Sequence, residues 1–125
     1  MGRSLSVWRY QIKTTKIIKK MKRFSEKYIT TKELEWEELG GGVSRKFLGY
    51  DNQIMMVKVK FEEGALGSPH QHFHTQATFC VSGKFEFEID GEKKIVEAGD
   101  GVYIEPNLLH SAICLEEGIL IDTFS

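Results

Sequence analysis

The sequence predicts a single all-β domain, and three observations support this. The chain has 125 residues, 41% of them hydrophobic and 28% charged, which suits one globular domain with its own core. From residue 43 onward, short segments alternate apolar and polar residues with a period of two. Glycine, Asp-Gly or proline separates these segments. Eight or nine short strands at this spacing are typical of a β-sandwich or jelly-roll barrel.

The elements are expected in a simple order along the chain. Residues 24–39 lack a clear period, so we expect an arm with a short helical turn, and three glycines at 40–42 mark a bend. The expected strands then follow as VSRKFLGY, QIMMVKVKF, ATFCVSG, KFEFEID, KKIVEAGD, VYIEP, HSAICLE and GILIDTF. Asp90 and Gly91 stand between two alternating runs, which is the usual sequence of a type I′ hairpin turn.

A basic leader, residues 1–23, precedes the predicted domain of residues 24–125. The leader carries eight Lys and Arg and no acid, whereas the remainder has nine basic and eighteen acidic residues. The alternation in VWRYQIK indicates an accessory strand, a true start at Met21 fits the leader equally well, and an organelle-targeting segment is a third interpretation. The acidic body argues against a nucleic-acid partner.

The chain also lacks the usual signs of membrane insertion and secretion. No apolar run is long enough to cross a bilayer, so no membrane partner is expected. Cys80 and Cys114 are too few for a disulfide framework, and the N-terminus has no apolar secretory core. These observations predict a cytoplasmic, reduced protein.

Three of the four histidines lie in the stretch SPHQHFHTQ, residues 68–76. On a strand, His70 and His72 would lie about 7 Å apart on one face and could converge on an ion at bond lengths of roughly 2.1 Å. A straight strand would carry Gln76 about 20 Å from His70. If Gln76 is a ligand, the chain must turn near residues 73–75, which places His74 at the corner.

The fourth histidine, His110, lies in a second block, AGDGVYIEPNLLHSA. Each of the chain's two prolines, Pro69 and Pro106, shortly precedes a histidine. Proline fixes φ and has no N–H donor, so it suits a rigid entry to a strand that carries a ligand. An isolated histidine is usually a solvated or hydrogen-bonded residue, but two matching blocks favour a metal site.

These two blocks resemble the two motifs of the cupin family. The first motif is matched by Gly64, His70, His72, Gln76 and Gly83, and the second by Gly99, Pro106 and His110. From about Trp36 to Ser125 the chain looks like the small single-domain cupins of pectin and alginate breakdown, the KdgF-like proteins. The resemblance implies one RmlC-like jelly-roll barrel with a short N-terminal arm, usually in a homodimer.

The resemblance also implies a site and a reaction. The ligands of a divalent metal would be His70, His72, Gln76 and His110. This donor set suits nickel, zinc, iron, cobalt or manganese nearly alike. The substrate would be a small anionic sugar acid, because the family opens and ketonises 4,5-unsaturated monouronates to linear keto acids.

Further pocket residues follow from the family's ending D-x-F-[ST]-P-x-R. Asp122 and Phe124 match it, and the chain stops at Ser125, which leaves either a truncated chain or a site without the family's carboxylate-binding arginine. Asp122 is the candidate for proton transfer, with a strand-end carboxylate capped by backbone donors as the alternative. Phe124 is a candidate substrate-binding residue.

Three other residues are candidates for substrate binding. Thr78 lies two residues beyond Gln76 on the same strand face. Arg45 could replace the missing cation, as could Lys46, but the preferred interpretation of each is a solvated strand residue. His74 would have a pocket-edge or structural role.

Gln76 affects which ligand the predicted metal would prefer. Most cupins have a glutamate at this position. Three neutral imidazoles and an amide leave the ion's charge of +2 uncompensated, which favours an anionic ligand such as a uronate. A metal-dependent dioxygenase and a non-catalytic sugar-acid binding module remain as alternatives, because fold alone does not determine function.

Overall fold

The computed structural model describes Trp8, Ile12 and residues 21–125. Within these residues a short 3-10 turn, Thr31–Glu33, precedes a set of eight strands. The strands are β1 (Glu37–Gly40), β2 (Val43–Tyr50), β3 (Met55–Phe61), β4 (Leu66–His70), β5 (Gln76–Ile89), β6 (Glu92–Glu97), β7 (Gly101–Ile104) and β8 (His110–Phe124). No helix among the described residues is long and apolar enough to span a membrane.

The strands form one antiparallel sheet that folds over on itself. Its order is β1-β2-β3-β8-β5-β6, with β4 added to β8 and β7 added to β5. β8 pairs with β4 through its first residues and with β3 through its last seven. β5 likewise pairs with β7 at its start and with β6 at its end. The long strands β5 and β8 therefore join the two layers of a jelly-roll barrel.

Two glycines lie where the long strands bend. A Cβ on Gly118 would be 2.1 Å from the Ser82 carbonyl oxygen, and a Cβ on Gly83 would be 2.6 Å from the Glu116 carbonyl oxygen. The register of β5 against β8 also shifts at Ser82 and Lys84. The absence of a side chain therefore lets the two backbones cross closely at this corner.

The expected all-β organisation is confirmed, with differences at the strand boundaries. ATFCVSG and KFEFEID belong to the single strand β5, and HSAICLE and GILIDTF to β8, because the strands bend at their glycines without ending. β1 was not expected, since this edge strand is held by its pairing with β2. The type I′ turn is confirmed, with φ of 50° at Asp90 and 85° at Gly91 between the paired residues Ile89 and Glu92.

The core is filled from alternating strand positions on both layers. Phe61 of β3 meets Phe85 of β5 edge to face, with ring centroids 5.2 Å apart. Cys80 is fully buried in this core. Most of the basic leader lies outside the described residues, but the two described residues of the predicted accessory strand, Trp8 and Ile12, are helical, so the strand is not formed there. Of the leader residues that are described, Trp8 and Ile12 are fully buried in the core, and Met21 packs against it.

Candidate metal centre

Three histidines from three parts of the chain converge at one end of the barrel. His70 ends β4 and is the register partner of His110, which begins β8. His72 lies in the loop between β4 and β5. One ring nitrogen from each histidine lies within 4.8 Å of those of the other two. The three are therefore placed to hold a metal ion.

The route to this convergence differs in part from the expected one. His70 and His72 were expected on one strand, but β4 ends at His70 and His72 belongs to the following loop. The pairing of β4 with β8 brings in His110. The turn expected at residues 73–75 is confirmed, because β5 begins at Gln76.

Backbone carbonyls set the tautomer of each converging histidine. Nδ1 of His70 lies 2.8 Å from the Ser68 carbonyl oxygen, Nδ1 of His72 is 3.0 Å from that of His74, and Nδ1 of His110 is 2.9 Å from that of Leu108. A carbonyl oxygen only accepts, so each Nδ1 carries the hydrogen and donates it. In the neutral imidazole each Nε2 then presents a lone pair, the form in which histidine binds metals.

The Nε2 atom of His110 lacks the partner that a buried lone pair needs. It is buried and has no hydrogen-bond partner among the described residues. Burial lowers the pKa of His110 to about 4, and the nearby His70 and His72 act in the same direction while the Leu108 carbonyl opposes them. The imidazole is therefore neutral at pH 7. An unpaired buried polar atom is costly, and a bound cation would satisfy it.

A hydrogen-bonded chain orients the side chain of Gln76. Thr78 and Asp122 face each other across β5 and β8, and the Thr78 hydroxyl donates to Oδ1 of Asp122 over 2.6 Å. The same hydroxyl accepts from Nε2 of Gln76 at 2.9 Å, and that nitrogen lies 3.4 Å from Oδ1 of Asp122. The amide nitrogen of Gln76 is thus directed at Thr78 and Asp122. Its oxygen, Oε1, faces His72 at 3.0 Å from Nε2.

The contact between His72 and Gln76 itself fits a cation. In the neutral imidazole with hydrogen on Nδ1, Nε2 of His72 is an acceptor, and so is Oε1 of Gln76. Two acceptors 3.0 Å apart repel each other unless a positive charge lies beside both. Two ligand atoms each about 2.1 Å from one ion, at right angles, lie about 3.0 Å apart. The residues present therefore fit a divalent metal held by three imidazoles and one amide oxygen.

Asp122 faces the same cavity as two of the histidines. The cavity has a volume of about 750 Å³, and its wall includes His70, His72, Arg45, Asp122 and Phe124. Burial raises the pKa of Asp122 to about 6, although the hydrogen bonds from Thr78 and Gln76 oppose the shift. This carboxyl therefore exchanges its proton near neutral pH.

The predicted substrate-binding residues fall into two groups. Phe124 and Arg45 line the cavity, as expected of residues that contact a ligand. Thr78 and His74 are 4% and 2% exposed, and among the described residues of the cavity wall neither is present. They touch other site residues instead, since Thr78 bonds Asp122 and the His74 carbonyl accepts from His72.

The preferred interpretation of Arg45 and Lys46 as solvated residues is wrong. Arg45 is 7% exposed, forms an ion pair with Glu37 through Nε, and donates through Nη2 to the Ile12 carbonyl oxygen at 2.5 Å. Lys46 is 9% exposed, and its Nζ donates to the Thr31 carbonyl oxygen. The sequence of β2 gave no sign of this burial, because the groups that cover these side chains belong to other segments of the chain.

Sequence reasoning did not assign a site role to the leader, although Ile12 lines the cavity. Trp8 stacks on His74, with ring centroids 4.7 Å apart. The only sequence feature that relates these two residues is the alternation in VWRYQIK. It places Trp8 and Ile12 in phase but does not say what they contact.

The two-layered barrel and its histidine cluster define a class: the chain belongs to the cupin family. Residues 57–122 match the cupin domain, and this range holds His70, His72, Gln76, His110 and Asp122. Among named relatives, the pectin degradation protein KdgF of Dickeya dadantii is 45% identical over 101 residues, which cover 79% of this chain and 92% of KdgF.

Two solved structures are similar to the whole barrel. An RmlC-like cupin from Shewanella frigidimarina has 40% identity and a TM-score of 0.81, covering 83% of this chain and 94% of that one. KdgF from a Halomonas species has 36% identity and a TM-score of 0.77, covering 81% and 94%. The predicted RmlC-like fold and the resemblance to KdgF-like cupins are confirmed.

Proposed function

We propose that the chain is a metal-dependent enzyme that converts 4,5-unsaturated monouronates, small sugar acids from pectin or alginate breakdown, to linear ketonised forms. The similarity to the pectin degradation protein KdgF supports this substrate class. The observation that carries the proposal is the shared cavity: Asp122, a carboxyl that titrates near neutral pH, faces the same space as His70 and His72.

The metal ligands in this proposal are His70, His72, Gln76 and His110. When bound there, a divalent ion would supply a Lewis acid that stabilises negative charge on a substrate oxygen. All four side chains are neutral donors, so none of them compensates the charge of a cation. The cavity therefore favours a ligand that brings its own carboxylate.

Asp122 is the proposed proton-transfer residue. In the reaction, the C1 hydroxyl loses a proton, the bond between C1 and the ring oxygen breaks, and C1 becomes an aldehyde. The C4–C5 double bond then takes up a proton at C4, and C5 becomes a ketone. One proton leaves and one arrives, so a single carboxyl with a pKa of about 6 can remove the first and deliver the second.

The other candidate residues act on substrate or on these groups. Phe124 forms an apolar wall beside Asp122. Arg45 places a positive charge on the cavity wall, and a guanidinium has five N–H donors, so an arginine paired with Glu37 can also bind a carboxylate. Thr78 orients Asp122 and Gln76, and the carbonyl of His74 orients His72.

The decisive experiment is incubation of metal-replete protein with 4,5-unsaturated galacturonate, following loss of the enol-ether absorbance. We expect clear acceleration over the spontaneous rate. Asp122→Asn should keep the metal and lose turnover, and His110→Ala should lose both. No acceleration by the wild-type protein would overturn the proposal. Tight binding without turnover would then indicate a sugar-acid binding module, and oxygen consumption a dioxygenase.

The expected homodimer and the expected cytoplasmic location remain predictions. Light scattering on the purified chain would test the homodimer, and a mass near 14.3 kDa would contradict it. Fractionation of native cells would test the cytoplasmic location.

A further inference from the structure

Trp8 of the basic leader is built into the interior beside the histidine cluster. Its side chain is fully buried, and its indole N–H donates to the Asp51 carbonyl oxygen over 2.7 Å. The indole stacks on the ring of His74, with centroids 4.7 Å apart and planes inclined by 28°. Phe73 also packs against that ring, at 4.0 Å between centroids. Trp8 therefore helps to hold His74 in place.

His74 in turn orients one of the converging histidines. Its carbonyl oxygen accepts the hydrogen bond from Nδ1 of His72 at 3.0 Å, which sets the tautomer and direction of that ring. Backbone hydrogen bonds hold this loop at two points. The Asn107 N–H donates to the His72 carbonyl oxygen, and Thr75 and Ser125 each donate an N–H to the carbonyl oxygen of the other. Between these two points, side-chain packing on its ring contributes to the position of His74. Trp8 provides part of that packing.

Ile12, four residues after Trp8, reaches the cavity itself. Its side chain is fully buried and lines the same wall as His70, His72 and Asp122. Its carbonyl oxygen accepts from Nη2 of Arg45 at 2.5 Å. A leader residue thus occupies volume in the cavity and also holds the arginine on its wall.

We propose that the leader contributes two residues to the site. Trp8 is a positioning residue that acts on His72 through His74, and Ile12 is a wall residue that limits the size of the bound sugar acid. The role of Ile12 rests on the proposed function, whereas the role of Trp8 concerns the metal site alone. The proposal requires that the native chain contains Trp8 and Ile12, so a native chain starting at Met21 would contradict it.

The role of Trp8 is tested by titrating metal-depleted full-length protein with Co²⁺ and following its visible absorption. Mutation of a residue that orients a metal ligand without binding the metal typically lowers metal affinity by about 10- to 100-fold. Trp8→Ala should lose affinity in this range and alter the spectrum, and Trp8→Phe should restore most of both. Trp36→Ala is the matched control, because Trp36 lies under Lys46 and Lys60, with ammonium groups 4.6 and 4.3 Å from its ring centroid.

The outcomes of this titration are distinct. Wild-type affinity and spectrum in Trp8→Ala, or equal losses in Trp8→Ala and Trp36→Ala, would overturn the positioning role. Should Trp8→Ala fail to fold, Trp8→Phe and Trp8→Leu carry the test. Loss of Co²⁺ affinity in Trp8→Leu but not in Trp8→Phe then supports stacking. Equal Co²⁺ affinities of these two variants overturn it. None of these measurements needs turnover, so they remain valid even if the proposed reaction fails.

The role of Ile12 is tested by binding, with D-galacturonate and digalacturonate titrated into metal-replete protein by calorimetry. Ile12→Ala opens the cavity wall, so we expect the affinity for the disaccharide relative to the monosaccharide to rise at least about 10-fold. Ile54→Ala is the control, since Ile54 is 50% exposed and away from the cavity. An unchanged ratio in Ile12→Ala, or the same change in both variants, would overturn the wall role.

Discussion

Replacement of Thr78 by valine isolates the hydrogen bond that holds the Asp122 carboxylate. Valine has nearly the shape of threonine but lacks the hydroxyl that donates to Oδ1 of Asp122 at 2.6 Å and accepts from Gln76 at 2.9 Å. Thr78 is 4% exposed, so water does not readily replace the lost group. The variant should therefore affect the ionised form of Asp122 more than the protonated form.

The magnitude follows from the charge state of Asp122. A hydrogen bond to a charged group contributes about 1.5–3 kcal/mol, compared with about 0.5–1.5 kcal/mol between neutral groups. Asp122 is partly exposed at the cavity wall, which screens its charge. We therefore expect an extra loss of about 1 kcal/mol when Asp122 is ionised, equivalent to a further rise of about one unit in its pKa.

The sign of the pH dependence follows from linkage. The pKa of Asp122 is raised from 3.8 to about 6 in the folded protein. Its protonated form therefore stabilises the fold below pH 4, and this contribution is lost as the pH rises through 6. In Thr78→Val the pKa of Asp122 lies higher still, so more of this stabilising contribution is lost as the pH rises. The variant should be more destabilised at pH 8 than at pH 4.5.

The assay is urea unfolding of metal-free protein at pH 4.5 and pH 8. Thr123→Val is the matched control, because Thr123 neighbours Asp122 on β8 and its hydroxyl has no hydrogen bond among the described residues. Titration of the Asp122 carboxyl by ¹³C NMR would report the pKa directly. A loss of stability in Thr78→Val that is equal at the two pH values would refute the reasoning.

Two further predictions concern the crossing of β5 and β8 and the neutral ligand. Gly118→Ala should lower the free energy of unfolding by about 3 kcal/mol, because its Cβ would lie 2.1 Å from the Ser82 carbonyl oxygen. Gly101→Ala, with an ordinary 3.7 Å contact, is the control in the same urea assay, and equal losses would contradict the argument. Gln76→Glu should tighten Co²⁺ binding and weaken binding of galacturonate, since a carboxylate compensates part of the ion's charge. Calorimetric titrations would measure both affinities, and unchanged galacturonate binding would count against a role for charge.

Features that depend on neighbouring residues could be predicted well. The period of two in QIMMVKVKF gave β3, and Asp90 and Gly91 gave a type I′ turn, because strand faces and turn conformations are local properties. The spacing from His70 to Gln76 implied a turn at residues 73–75, since ligands on a straight strand cannot meet. The motif residues were also sufficient to indicate a KdgF-like cupin.

The sequence by itself thus determined the strand pattern, the family and the residues able to bind a metal. The tertiary structure alone decided that His72 leaves the strand, that Arg45 is buried against Glu37 and Ile12, and that Trp8 lies on His74. The physical reason is that these features depend on pairing and packing between distant segments. His70 faces His110 only because β4 pairs with β8, and no local pattern specifies which strands become neighbours.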